Sequence, residues 1–193
     1  MTRPLARFRR HLHWWTAALI VIGFSLAWVM TALPATVLLI KFLAYQAHKT
    51  IGLTVAMLAA VRLWLLYRSG SKIGPTEAII YVMLLVVPLL GYLTAAAAPG
   101  GVPTLFLLIV PVPHVLTPGQ ALFEVIRPFH LWAAIGLMAL AAWHAAARLR
   151  TRQVGASRAN RRRESAYSSH ANRAGSRPPS PAVERMPDRK DPL

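Results

Sequence analysis

The chain has 193 residues, 55% of them hydrophobic, with no cysteine and a formal net charge of +16. Of its 22 Lys and Arg residues, 12 fall in 148–193 and four in the first ten positions, which leaves six across 11–147. That distribution excludes a nucleic-acid binder, which displays charge over a folded surface, and the missing cysteine excludes disulfides, thiolate catalysis and thiolate-bound iron–sulfur clusters.

From Trp14 to Ile40 there is no charge, and Pro34 is the first interruption, so a first membrane span is predicted at about 12–32. The run far exceeds the h-region of about 7–15 residues in a signal peptide, so the segment is expected to stay on the protein. A second span, about 44–67, carries His48, Lys49 and Arg62. A third, about 77–98, holds Pro88 as an expected kink. The stretch 99–129 contains six prolines and is expected to be a loop capping the outer mouth of the helices. The fourth span is predicted at about 129–149. In lipid only helices and closed barrels satisfy the backbone, and no alternating strand pattern is present. The expected fold is therefore all-α, an integral membrane four-helix bundle formed by residues 1–152.

Residues 153–193 are rich in Arg, Ser and Pro and are expected to be a disordered basic cytoplasmic tail, its charge attracted to anionic headgroups of the lipid bilayer. Arg3, Arg7, Arg9 and Arg10 precede span one, Arg68 and Lys72 follow span two, and Arg148, Arg150 and Arg152 follow span four. This bias places both termini in the cytoplasm.

Four histidines, His13, His48, His130 and His144, lie in or at the edge of apolar spans, where an ionisable side chain is costly and points to function. His130 and His144 are 14 residues apart on one helix, about 21 Å along its axis and within about 40° of one line. His13 opens span one at the depth of His144, and His48 opens span two at the depth of His130. Two bis-imidazole sites follow, one in each leaflet, the arrangement that fills both axial positions of a haem iron. Zinc needs about four close donors, and pairs at two depths cannot share one ion. His11 competes with His13 but sits beside Arg9 and Arg10 in headgroup territory. Arg62, 14 residues after His48, is open to two readings, a bidentate partner for a haem propionate or an arginine snorkelling to the interface. Gly52, one turn after His48, either admits a macrocycle to the backbone or serves plain helix packing.

His13-Trp14, then His48-Lys-Thr-Ile-Gly52 with Arg62 following, resembles the bacterial cytochrome b561 family. So do Leu-Leu-Val-Val-Pro88-Leu-Leu-Gly91-Tyr-Leu in span three, the outer loop from Pro103 to Glu124, and His130 with Trp143-His144-Ala-Ala-Ala in span four. The resemblance covers roughly 5–152. It implies a di-haem b-type cytochrome of the bacterial inner membrane, with two haem b per chain held by His13 with His144 and by His48 with His130. The sequence departs from the family at Gly74-Pro-Thr-Glu77-Ala-Ile-Ile-Tyr81, where many members carry two histidines. Quinone or proton chemistry resting on those side chains is therefore not implied; Glu77 is open to two readings, a substitute proton-handling group or, preferred, a carboxylate favoured at a helix N-terminus.

The expected function is transmembrane electron transfer between a periplasmic-side donor, superoxide being one candidate, and membrane quinone. If the chain is an enzyme, it is an oxidoreductase of the superoxide:quinone type, with Lys49 and Arg127 supplying a positive field at the outer mouth. The alternative is a haem-bearing anchor for a partner oxidoreductase such as a hydrogenase or dehydrogenase. A membrane scaffold without haem is a third reading.

Overall fold

The structure, a computed structural model, describes residues 3–175. Four long helices dominate it: α1 (Arg3–Ala32), α2 (Leu38–Arg68), α3 (Pro75–Ala97) and α4 (Gln120–Gly175). Each contains a stretch long and apolar enough to cross a membrane, so the chain is a multi-pass membrane protein. Their outward faces carry large apolar side chains that a soluble domain would bury, Leu38, Leu39, Phe129 and Leu131 among them. Tryptophans stand exposed near the helix ends, with Trp14, Trp15, Trp64 and Trp143 towards one side and Trp28 and Trp132 towards the other. Tryptophan belts of that kind suit the two water–lipid boundaries.

The chain divides into two compact units, 1–145 and 146–193. Within the first, α1 packs along α2 and α2 along α3. No comparable run of close backbone approaches joins α4 to the other helices among the described residues. The core is small: Val55 and Ala59 of α2, Tyr81, Leu84 and Val87 of α3, and Leu137 of α4. Leu19 and Ile20 of α1 and Ala133 and Ala134 of α4 pack around it, so all four helices contribute.

The connection between α3 and α4 differs from the expected plain loop. Thr104–Phe106 (β1) and Val110–Val112 (β2) form an antiparallel hairpin, with Phe106 opposite Val110. Ile109 N–H donates to Phe106 O at 3.2 Å across a turn whose central residues, Leu107 and Leu108, have φ of 55° and 62°. Such turns favour Asn-Gly; here two leucines hold left-handed backbone. The tension is met by anchors on α2. Gln46, 0% exposed, donates through Nε2 to Pro103 O at 2.8 Å and accepts Leu105 N–H at Oε1 at 3.0 Å. Thr50 Oγ1 accepts Leu107 N–H at 3.1 Å, and Tyr92 OH on α3 donates to Pro113 O at 2.6 Å.

Two boundaries also move. α4 starts at Gln120, nine residues before the predicted start of span four, and carries Pro128 inside it. Its first turn is secured by Gly119 N–H donating to Ala97 O and Phe123 N–H to Gly119 O, both at 3.0 Å. The proline costs the helix one internal hydrogen bond but does not end it. At the other end the helix continues through Gly175, so residues 153–175 of the expected disordered tail are helical. The segment has no proline before Pro178, and local bonds such as Asn160 Nδ2 to Glu164 Oε1 at 2.8 Å support the turns. The remaining stretch, 176–193, lies outside the described residues.

Candidate functional site

A cavity of about 450 Å³ lies between α2, α3 and α4 beneath the hairpin. That is within the usual range for cofactor pockets, about 300–1,000 Å³. Its walls are mostly apolar, and His48 and His130 both face into it. Their ring centroids are 6.3 Å apart and their planes nearly perpendicular at 77°. Each ring is pinned by its outer nitrogen. His48 Nδ1–H donates to Gly23 O of α1 at 3.0 Å, and His130 Nδ1–H donates to Val87 O of α3 at 3.1 Å. A carbonyl can only accept, so each ring carries a proton on Nδ1 and, in its neutral form, keeps a lone pair on Nε2. Two neutral imidazoles so fixed can ligate one metal between them, since bonds of roughly 2 Å on each side put the centroids about 6 Å apart.

Glycines make the approach of the helices possible. A Cβ on Gly91 would lie 2.9 Å from His130 Cε1, so α3 meets this ring only because the position has no side chain. On Gly23, whose carbonyl holds His48, a Cβ would meet Ile51 Cγ2 at 3.0 Å. Gly52 is different: it lines the cavity, and a Cβ there would meet nothing within 4 Å. Its bareness widens the chamber.

Of three further polar groups, one belongs to the lining and two touch residues that do. Lys49 lines the cavity and reaches Pro103 O at 3.4 Å. His114, on the segment after the hairpin, meets Thr104 Oγ1 through Nε2 at 2.9 Å and lies edge-on to Tyr92. Burial, and then the charge of Lys49, hold the His114 pKa below the usual imidazole value, so the neutral ring prevails there. Arg127 stacks over Phe123, 5.6 Å from the ring centre.

The other predicted residues are placed differently. His13 is exposed on α1 and His144 half-buried on α4, and no ring contact like that of His48 with His130 joins them among the described residues. Arg62 donates to His13 Nδ1 at 3.3 Å and lies over the Tyr81 ring at 5.2 Å. An arginine only donates, so His13 accepts at Nδ1 and its neutral ring carries the proton on Nε2. That is the opposite tautomer from the outer pair. Among the described residues no group of three or more His, Cys, Asp or Glu gathers as a metal site.

Sequence reasoning named Gly91 only within the span-three motif, and did not single out Gly23, Gln46 or the Val87 carbonyl. Gln46 carried a usable signal: an amide inside an apolar span must find partners or pay several kcal/mol, on the order of 2–7. Neither a protein-family model nor a curated protein matches this chain.

Proposed function

We propose that the chain is a b-type cytochrome related to the bacterial cytochrome b561 family, passing electrons across the inner membrane with two bis-histidine haems. One observation carries the reading: His48 and His130 stand 6.3 Å apart across an apolar cavity, each with Nδ1 given to a backbone carbonyl. The donor set fits a macrocycle better than a bare ion. Two imidazoles with no third ligand among the described residues leave a free metal under-coordinated, whereas a porphyrin brings four nitrogens of its own.

When bound, the haem would supply one-electron chemistry. The protein's contribution is positional. The Gly23 and Val87 carbonyls hold the imidazole tautomers and raise the basicity of each Nε2. His48 and His130 would both hold the haem, whose chemistry would then be electron transfer rather than capture of an external ligand. Thr104 of the hairpin lines the chamber, and Lys49, also in the lining, offers a positive group to an anionic donor such as superoxide. The second site would use His144 with His13, which first has to leave Arg62. Arg3, Arg7, Arg9 and Arg10 in the first turns of α1 and Lys72 in the loop 69–74 support cytoplasmic termini, and membrane quinone is the natural apolar acceptor.

The deciding experiment is a pyridine-haemochrome assay on purified, haem-supplied protein. Two haems per chain are expected, and a chain with no b-type spectrum would end the proposal. A second subunit that co-purifies stoichiometrically would instead favour an anchor for a partner oxidoreductase. Gly91→Ala gives a finer test. The added methyl must displace the His130 ring, at a cost of about 1–3 kcal/mol. One haem should then bind more weakly and the other unchanged, as read by haem titration.

A further inference from the structure

β1 is fastened to α2 at two successive turns. Gln46 Oε1 accepts Leu105 N–H at 3.0 Å, and Thr50 Oγ1 accepts Leu107 N–H at 3.1 Å. From Gln46 to Thr50 is about 6 Å along the helix axis, and from Leu105 to Leu107 is about 7 Å of strand. The two rises match, so the hairpin runs along α2 with its Leu107–Leu108 turn directed away from Leu38, where the helix begins. Thr50 lies about 18 Å along the axis from Leu38, and the whole of α2, 31 residues, measures about 46 Å. The hydrocarbon layer is about 30 Å thick, which leaves about 16 Å of surplus helix. Even with all of that surplus projecting at the Leu38 end, a turn at the level of Thr50 lies within the hydrocarbon.

The chemistry of the hairpin suits that depth. No Asp, Glu, Lys or Arg occurs between Glu77 and Glu124. Leu107, Leu108, Ile109 and Val110 are between 50% and 79% exposed, an apolar patch that water does not favour. Open sheet edges are kept out of lipid by their unpaired polar groups. Here the edge of β1 is covered by α2, and the donors of the turn are all used. Leu107 N–H goes to Thr50, Leu108 N–H to Leu105 O at 3.3 Å and Ile109 N–H to Phe106 O. Along an antiparallel ladder, residues whose groups cross to the partner alternate with residues whose groups point outward. Leu105 is of the outward kind, since its N–H goes to Gln46, so its partner Pro111 turns its own nitrogen to the free edge of β2. Proline has no N–H, and the free edge offers lipid no unpaired donor at that position.

We propose that the Thr104–Val112 hairpin is a re-entrant membrane element, its Leu107–Val110 end immersed in the acyl chains of the leaflet where α2 begins. Lipid covers the exposed leucines there, continuous with the lipid around Leu38, Leu39 and Leu43 of α2. The proposal rests on the membrane-spanning helices and does not depend on the haem reading.

Because the chain has no cysteine, a nitroxide label can be placed at one residue at a time. The full chain carrying Leu108→Cys, Ile109→Cys or Val115→Cys is labelled and reconstituted into phosphatidylcholine vesicles. Electron paramagnetic resonance then measures how far oxygen and a polar nickel chelate reach each label. Val82→Cys, exposed on α3, is the lipid reference, and Lys72→Cys, in the loop 69–74, is the water reference. Oxygen concentrates in hydrocarbon and the chelate in water. The oxygen-to-chelate ratio at Leu108→Cys and Ile109→Cys should exceed that at Lys72→Cys by about tenfold and match Val82→Cys within about twofold. Val115→Cys should give a lower ratio than either, since the chain leaves β2 beside Thr104, at the shallow end. Helical circular dichroism is recorded for each variant, and the two tip positions are independent, so a folding failure at one leaves the other to decide. A tip ratio equal to that of Lys72→Cys overturns the proposal, because the turn would then stand in water. A ratio at Val115→Cys equal to the tip value also overturns it, since the hairpin would lie flat on the membrane. Immobilised tip labels closed to both reagents do so as well, and would put a second protein surface in the place of lipid.

Discussion

His130→Ala is expected to halve the haem content, from two per chain to one, in a pyridine-haemochrome assay. The substitution removes the Nε2 that shares the cavity with His48 and frees the Val87 carbonyl that fixed the ring. It also leaves Gly91 facing a void where the ring had been. His48→Ala should give the same single remaining haem, because one imidazole cannot fill both axial positions. The double variant should lose no more than either single one. His144→Ala should spare the His48–His130 site and remove the other. If His130→Ala retains both haems with native spectra, the pairing is wrong.

Gln46→Leu should destabilise the hairpin by about 2–4 kcal/mol, the cost of leaving one buried donor and one buried acceptor poorly matched. The new side chain has similar volume, so packing is little disturbed. What is lost is the pair of bonds that join α2 to the backbone at Pro103 and Leu105. Lys49 already reaches Pro103 O and softens the loss on that side, whereas Leu105 N–H has no replacement of that kind. A lower melting temperature in detergent and faster proteolysis at 107–109 are the expected readouts. Gln46→Glu makes a sharper comparison: it keeps an acceptor for Leu105 N–H but sets a carboxylate against the Pro103 carbonyl. It should fall between the parent and Gln46→Leu at acidic pH, where the carboxyl is protonated, and lose ground as pH rises.

The membrane-spanning character was legible because it depends on uninterrupted apolar length, a property written directly into the chain. The depth argument also placed His48 and His130 near one another, since two residues at matching levels on adjacent helices face a common layer. Contacts made by backbone were not legible. The Gly23 and Val87 carbonyls that hold the two rings exist at every residue, and only packing selects them. Pro128 counted as evidence for a loop, yet the hydrogen bonds at Gly119 and Phe123 start the helix ahead of it. The hairpin escaped notice because each strand is three residues long and its turn is two leucines rather than turn-forming residues. The contact of Arg62 with His13 lies deeper still, as 49 residues separate them in sequence.

The Leu107–Leu108 turn has a consequence in time. A peptide spanning Thr104–Val112 alone would not hold two leucines at positive φ; the bonds from Gln46 and Thr50 make that backbone worthwhile. Those partners lie 57 and 59 residues earlier, so the hairpin forms only after α2 is in place. The hairpin is thus a late-forming element, its turn held in shape by contacts made far back in the chain.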